Sequence, residues 1–253
     1  MSLSKCCIQG FEWHGTPSGR ISKLANSNTY ITGDNPNAAI LLIADLFGRT
    51  FANNRLLADH FAREVGATVY VPDFFGGEVI DSQALAEEKW EQFDFEGFMQ
   101  RNSRDIREPE IVECARALRR QYRKVGAVGY CYGGWAVFRL GAKEHHDNQH
   151  QTPLVDCISA GHPSLLTEKD IDEVAVPVQL LAPEMDPAYT PELKLHTFQT
   201  LLKLGVVFDY QHFSGVVHAC LVRGDEHVPG EREAMVRGKN ALVAWMRHFL
   251  KEA

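Results

Sequence analysis

The chain has 253 residues, of which 45% are hydrophobic and 23% charged, and its formal net charge at pH 7 is −7. These ordinary globular values exclude a disordered or fibrous class, and the acidic balance leaves no basic stripe for a phosphate backbone. Met1 to Gly10 lacks an apolar stretch of signal-peptide length and no later segment is long enough to cross a bilayer. The expectation is a cytoplasmic protein of one domain, residues 1–253, that acts on a small molecule and partners neither nucleic acid nor membrane. Either a monomer or a homodimer is compatible with this composition.

The first elements are modest. Residues 20–32 alternate loosely and are rich in Ser, Asn and Thr, as in an edge hairpin or entry strands, and Gly33-Asp-Asn-Pro-Asn37 has turn chemistry. Ala38 to Ala44 is a continuous apolar run, the mark of a strand covered on both faces. Between Asn53 and Val65, Leu56, Leu57, Phe61 and Val65 recur at helical spacing, with Asn53 or Asn54 as cap and Gly66 as stop. Ala67 to Pro72 is the next strand. Strand, helix and strand within so short a span make a βαβ unit, so the sheet is mostly parallel, with helices on both faces.

Residues 73–107 are irregular and carry Phe74, Phe75, Phe93, Phe95 and Phe98, which are read mainly as anchors to the core. Pro109 is expected to open a helix presenting Ile111, Cys114, Ala115, Leu118 and Tyr122 on one face. It leads into Val125-Gly-Ala-Val-Gly-Tyr-Cys-Tyr-Gly-Gly-Trp135, an apolar strand, a sharp turn and the start of a helix. The turn is G-x-C-x-G, the nucleophile-elbow spacing with cysteine in the serine position. Such a turn holds its nucleophile in strained backbone and needs residues without a Cβ where strand and helix converge. It lifts the Cys131 sulfur to the top of the sheet, at a helix N-terminus, where a neighbouring histidine lowers a thiol pKa.

Residues 143–152, with His145, His146 and His150, are read as a solvated polar loop without metal. Strands follow at Leu154 to Ala160 and Pro177 to Ala182, a helix from Pro191 to Leu204 stopped by Gly205, a last strand from Val206 to Phe213, and a closing helix from about Glu231 to Lys251. The six cysteines, Cys6, Cys7, Cys114, Cys131, Cys157 and Cys220, show no paired zinc-ligand spacing. They are expected to be free thiols, and neither metal nor organic cofactor is implied.

Acyl transfer needs a nucleophile, a base that takes and returns its proton, and a buried acid that orients the base. Cys131, Asp186 and His218 occur in the order nucleophile, acid, histidine, each just beyond a strand. Glu184 competes with Asp186, and His212 and His227 compete with His218. His162 precedes the acid, so it has the wrong order for the base and is placed at the border of the substrate pocket. The oxyanion donors are expected to be the backbone N–H groups of Tyr132 and Leu46.

These residues resemble the dienelactone hydrolases, a cysteine-dependent branch of the α/β-hydrolases, in Ala44-Asp-Leu-Phe-Gly48, Val71-Pro-Asp73, Gly129-Tyr-Cys-Tyr-Gly-Gly134, Ala160-Gly-His-Pro-Ser164, Asp186, and His218 with Arg223-Gly-Asp225. The chain looks most like the fungal-type members. The resemblance implies an α/β-hydrolase fold and opening of an enol-lactone or small ester through a Cys-His-Asp triad. It also implies that Asp45 stands where relatives carry a glutamate that accepts the resting thiol proton, and that Arg223 helps hold a substrate carboxylate. For Asp45 the competing reading is an acid capping a strand end, and for Arg223 a surface arginine. The family's second carboxylate-binding arginine has no match in the 76–83 loop. A tailoring enzyme of secondary metabolism that forms or rearranges a lactone, and a non-catalytic ligand-binding protein on the same scaffold, are the alternatives.

Overall fold

The computed structural model describes residues 13–78, 94–146 and 152–251. Cys6, Cys7, Phe93 and His150 lie outside the described residues. The hairpin β1 (Arg20–Leu24) and β2 (Ser27–Thr32) leads into β3 (Ala38–Ile43), and α1 (Ala52–Phe61) continues through a π-helical turn to β4 (Thr68–Pro72). Helices α2 (Phe95–Arg101) and α3 (Arg104–Gln121) precede β5 (Lys124–Tyr130), α4 (Gly133–Leu140), β6 (Cys157–Gly161) and α5 (Glu168–Asp172). Then come β7 (Val178–Met185), α6 (Pro191–Leu204), β8 (Phe208–Val217), α7 (Cys220–Arg223) and α8 (Pro229–Leu250).

The eight strands form one sheet in the order β1-β2-β4-β3-β5-β6-β7-β8, parallel from β4 to β8, with β2 antiparallel to both its neighbours. The apolar run in β3 follows from its central place. Ala39, Leu41 and Ile43 join the core on one face with Ile111 and Leu118 of α3, while Ile40 and Leu42 join the other with Phe61 of α1 and Met246 of α8. Because a strand alternates sides, a run buried on both must be apolar at every position.

Phe74, Phe75 and Phe98 are buried, and the Phe75 ring lies 5.1 Å from those of Phe98 and Tyr132, so these aromatics anchor their segment to the elbow. No described helix is long and apolar enough to cross a membrane.

Several boundaries differ from the expected ones, for tertiary reasons. Helix α3 starts at Arg104 and carries Pro109 inside it. Arg104 is drawn in by a bidentate pair with buried Asp170, at 2.6 and 2.8 Å, and lies over the Trp135 ring, which fixes the turn ahead of the proline. Asn53 and Asn54 do not cap α1; they are buried inside it, where Asn53 donates to Val222 O and Asn54 donates to Asp45 Oδ1 and Gly48 O. In the histidine loop His145 and His146 are half-buried, and Glu144 pairs with Arg139 of α4, which also meets Glu108 and Glu173.

β7 and β8 both run further than their sequences suggest. Pro183, Ser214 and Gly215 read as turn residues, yet pairing between the two strands continues past a bulge to Met185 opposite Val217. The Glu184 carboxylate accepts from Gly215 N at 2.7 Å and is thereby spent on the edge of the sheet. Local propensity yields here to the ladder.

Candidate active site

Parallel strands deliver their C-terminal ends to one edge, and the register settles what arrives there. Tyr130 pairs with Gly161, Gly161 with Leu181, and Met185 with Val217. One residue beyond these strand ends stand Cys131, His162, Asp186 and His218. The structure brings them together.

Cys131 has φ +50°, in the left-handed region, as a strained elbow requires. Two glycines allow the turn. A methyl group on Gly129 would lie 2.1 Å from Gly133 O, and one on Gly133 would lie 2.2 Å from Ile43 O. Both are collisions with backbone, which cannot swing aside. Gly133→Ala is expected to destabilise the fold by about 3 kcal/mol, at the upper end of overpacking costs, read as a lower denaturant midpoint with an unchanged slope.

The Cys131 sulfur lies 3.2 Å from His218 Nε2, and His218 Nδ1 lies 2.8 Å from Asp186 Oδ1. That same carboxylate oxygen accepts from the backbone N–H groups of Ala188 and Tyr189, both at 2.9 Å. The side chains of His218 and Asp186 are wholly buried. Burial alone would depress the His218 imidazole, but the charge of Cys131 and the bond to Asp186 outweigh it and raise its pKa to about 10. Burial pushes the Asp186 carboxyl the other way from its partners, and the His218 hydrogen bond prevails to hold it below the usual range. The rival histidines, His212 in β8 and His227 beyond α7, are exposed.

Cys131 itself is fully buried, so the sulfur tops the sheet without standing open to solvent as the elbow pattern suggests. The covering groups are polar as well as apolar. His162, also fully buried and at φ +37°, has its ring centroid 5.0 Å from that of His218. Burial and the nearby His218 charge lower its pKa, so near neutral pH it is an uncharged imidazole beside the thiol. Ser164 Oγ lies 3.4 Å from the Cys131 sulfur and 3.4 Å from His218 Nε2. Sequence reading quotes Ser164 within a motif but assigns it nothing, because its reach depends on β6 lying beside β5.

Leu46 and Tyr132 each stand three residues beyond the Ile43–Gly129 pair, on neighbouring strand ends, and both are buried. The Tyr132 hydroxyl donates to Asn102 O at 2.7 Å, which ties the elbow to the junction of α2 and α3. Asp45 and Arg223 form a buried ion pair, with Arg223 Nε 2.7 Å from Asp45 Oδ2 and the guanidinium over the Phe47 ring. Asp45 Oδ1 also accepts from Asn54 Nδ2 at 2.9 Å and Phe47 N at 3.3 Å. Burial raises the Asp45 carboxyl, and the guanidinium pulls against that. The two residues thus meet in one ion pair at the strand ends beside the thiol.

A thiol hydrogen-bonded to an imidazole, itself held by a buried carboxylate, can attack a carbonyl and pass its proton on. The doubly covered parallel sheet with this strand-end order is the α/β-hydrolase fold. The dienelactone hydrolase family model matches residues 28–250, and the chain belongs to that family of hydrolases. It is 28% identical to the hydrolase tropI of Talaromyces stipitatus over 98% of this chain and 96% of that protein. It is also 28% identical to the carboxymethylenebutenolidase homolog of Homo sapiens, over 92% of this chain and 91% of that protein. Among solved structures, a putative dienelactone hydrolase from Klebsiella pneumoniae shares the fold with a TM-score of 0.68 at 15% identity, covering 90% of this chain and 98% of that one.

Proposed function

We propose that the protein hydrolyses a small ester or lactone through a covalent thioester on Cys131. The sulfur attacks the acyl carbon, and the carbonyl electrons move to oxygen, whose charge the N–H groups of Leu46 and Tyr132 take up in this reading. His218 takes the thiol proton and returns it to the departing alkoxide or enolate as the C–O bond breaks. In a lactone that oxygen stays tethered to the acyl group. Water then attacks the thioester with His218 as base, and the acid leaves with the sulfur restored. Asp186 holds His218 in the tautomer that presents Nε2 to the sulfur.

The observation that carries this reading is the unbroken chain from the Cys131 sulfur through His218 to Asp186, at 3.2 and 2.8 Å. The name of the human relative, a carboxymethylenebutenolidase homolog, supports an enol-lactone as the first substrate class to try. A panel of enol-lactones and small activated esters, followed by acid release, is expected to yield turnover on at least one member. Failure across the panel by protein that is folded and carries an intact thiol would count against the hydrolase reading.

A further inference from the structure

We infer that His14, Glu226 and His227 form a binding site for a divalent transition-metal ion of the zinc type, and that the ion staples the N-terminal segment to the turn between α7 and α8. The site uses no member of the triad and does not depend on the acyl chemistry. Sequence spacing gives no sign of it, because its donors come from opposite ends of the chain.

Three observations converge. First, one ring nitrogen of His14, one of His227 and a carboxylate oxygen of Glu226 all lie within 4.8 Å of one another. In a tetrahedral zinc site with bonds of about 2.1 Å, neighbouring donor atoms stand about 3.4 Å apart. His14 and His227 are exposed and Glu226 is half-buried, so side-chain rotation closes the difference without moving backbone. Second, the backbone that carries the donors is already fixed from both sides. Trp13 N donates to Asn53 Oδ1 at 2.8 Å and Trp13 Nε1 donates to Gly224 O at 3.0 Å, which docks the residue before His14 beside the turn. Asn53 Nδ2 in turn donates to Val222 O, so one buried amide grips both segments. Within the turn, Asp225 Oδ1 accepts from His227 N at 2.8 Å, Asp225 N donates to Glu231 Oε2 at 2.6 Å, and Pro229 opens α8. The fold has thus already ordered what an ion would otherwise have to order.

Third, the donor set is chemically selective. Two imidazoles and a single carboxylate suit zinc-type ions, whereas calcium and magnesium take oxygen donors. Three protein donors leave a fourth position for water, and the cavity of about 300 Å³ that His14 and Glu226 line gives the ion an open side. Arg232 shares that cavity, but it is exposed and can turn its guanidinium to solvent. The comparable cluster of Glu108, Glu144 and His145 has no such room for a cation, because Arg139 already pairs with both carboxylates. A clip that closes so long a stretch of chain has much unfolded-state entropy to remove. The turn it grips follows directly on Arg223, so an ion here also steadies α7 where it delivers that guanidinium to Asp45.

The test is amide hydrogen exchange of the full-length protein, freed of metal by chelation and then titrated with Zn²⁺. Exchange reports where the ion acts, which separates this site from zinc bound by thiols elsewhere. Zn²⁺ is expected to slow exchange in both segments, at residues 13–14 and 225–228, with a common concentration dependence. In His14→Ala and in His227→Ala, both changes at exposed positions, the zinc concentration needed for that protection should rise about tenfold or more, since even losing an outer-shell partner costs a metal site that much. Wild-type protein in which Zn²⁺ leaves both segments unprotected overturns the inference, and so does an affinity that either variant leaves unchanged. No arm of the experiment reads turnover, so its outcome bears on the metal site alone and leaves the hydrolase reading to its own tests.

Discussion

Cys131→Ala is expected to lower kcat/KM on the best ester or lactone by about 10⁴-fold or more, leaving only the contribution of binding and the oxyanion donors. The site makes this loss hard to escape. Ser164 is the other hydroxyl or thiol recorded beside His218 Nε2, at 3.4 Å, but it sits beyond β6 rather than on the elbow. A nucleophile needs the elbow because its N-terminal helix and the N–H of the next residue fix where the oxyanion forms. The variant should fold, since the change removes one sulfur from a site bounded by backbone hydrogen bonds and leaves Gly129 and Gly133 in place. Steady-state kinetics on protein with an unchanged thermal transition checks it.

Asp186→Asn is expected to cost about 10³-fold or more in kcat, by analogy with loss of the orienting acid in other triads. The Asp186 oxygen that meets His218 is the one held by Ala188 N and Tyr189 N, so an amide oxygen can occupy the same place. The geometry survives while the charge does not. The sign of the pH effect follows. His218 stands at about 10 because Asp186 and the sulfur charge favour the imidazolium against burial. Without the carboxylate its folded pKa falls, so the alkaline limb of the rate profile, where the imidazolium is lost, moves to lower pH. A pH profile of kcat/KM across wild type and variant reads this directly, and because thiol and imidazole are coupled, the limbs belong to the pair. An unchanged profile would mean that Asp186 does not act on His218.

How much of this was legible in the chain depends on whether a feature is local. The Ala38 to Ala44 run betrays a strand buried on both faces, and Gly129-Tyr-Cys-Tyr-Gly133 betrays an elbow, because each constraint operates between near neighbours. Asp186 and His218 could be placed from their order and from lying just past strands. Even so, both strands run on through Pro183 and Ser214-Gly215, since each ladder supplies partners that its sequence does not advertise. The start of α3 is hidden from the sequence for a similar reason: Arg104 is drawn into a helix by Asp170, far along the chain.

The groups around the thiol were the least legible. Ser164 touches the sulfur because β6 lies beside β5, and Asn54 bonds Asp45 because α1 packs back across the end of β3. The resemblance implies separate roles for Asp45 and Arg223, and only three dimensions show that they also form one ion pair. A charge pair of that kind changes chemistry without changing any motif. Sequence spacing identifies a nucleophile and its base more readily than it identifies what sets their protonation.

The central claim is that carbon–oxygen cleavage passes through an acyl group on one sulfur, and rapid acid quench during turnover of a slowly hydrolysed ester, followed by peptide mapping, tests it most directly. The account predicts the acyl mass on the peptide containing Cys131, removable by neutral hydroxylamine and absent from Cys131→Ala. Turnover with that peptide unmodified and the acyl group on a different residue would contradict it.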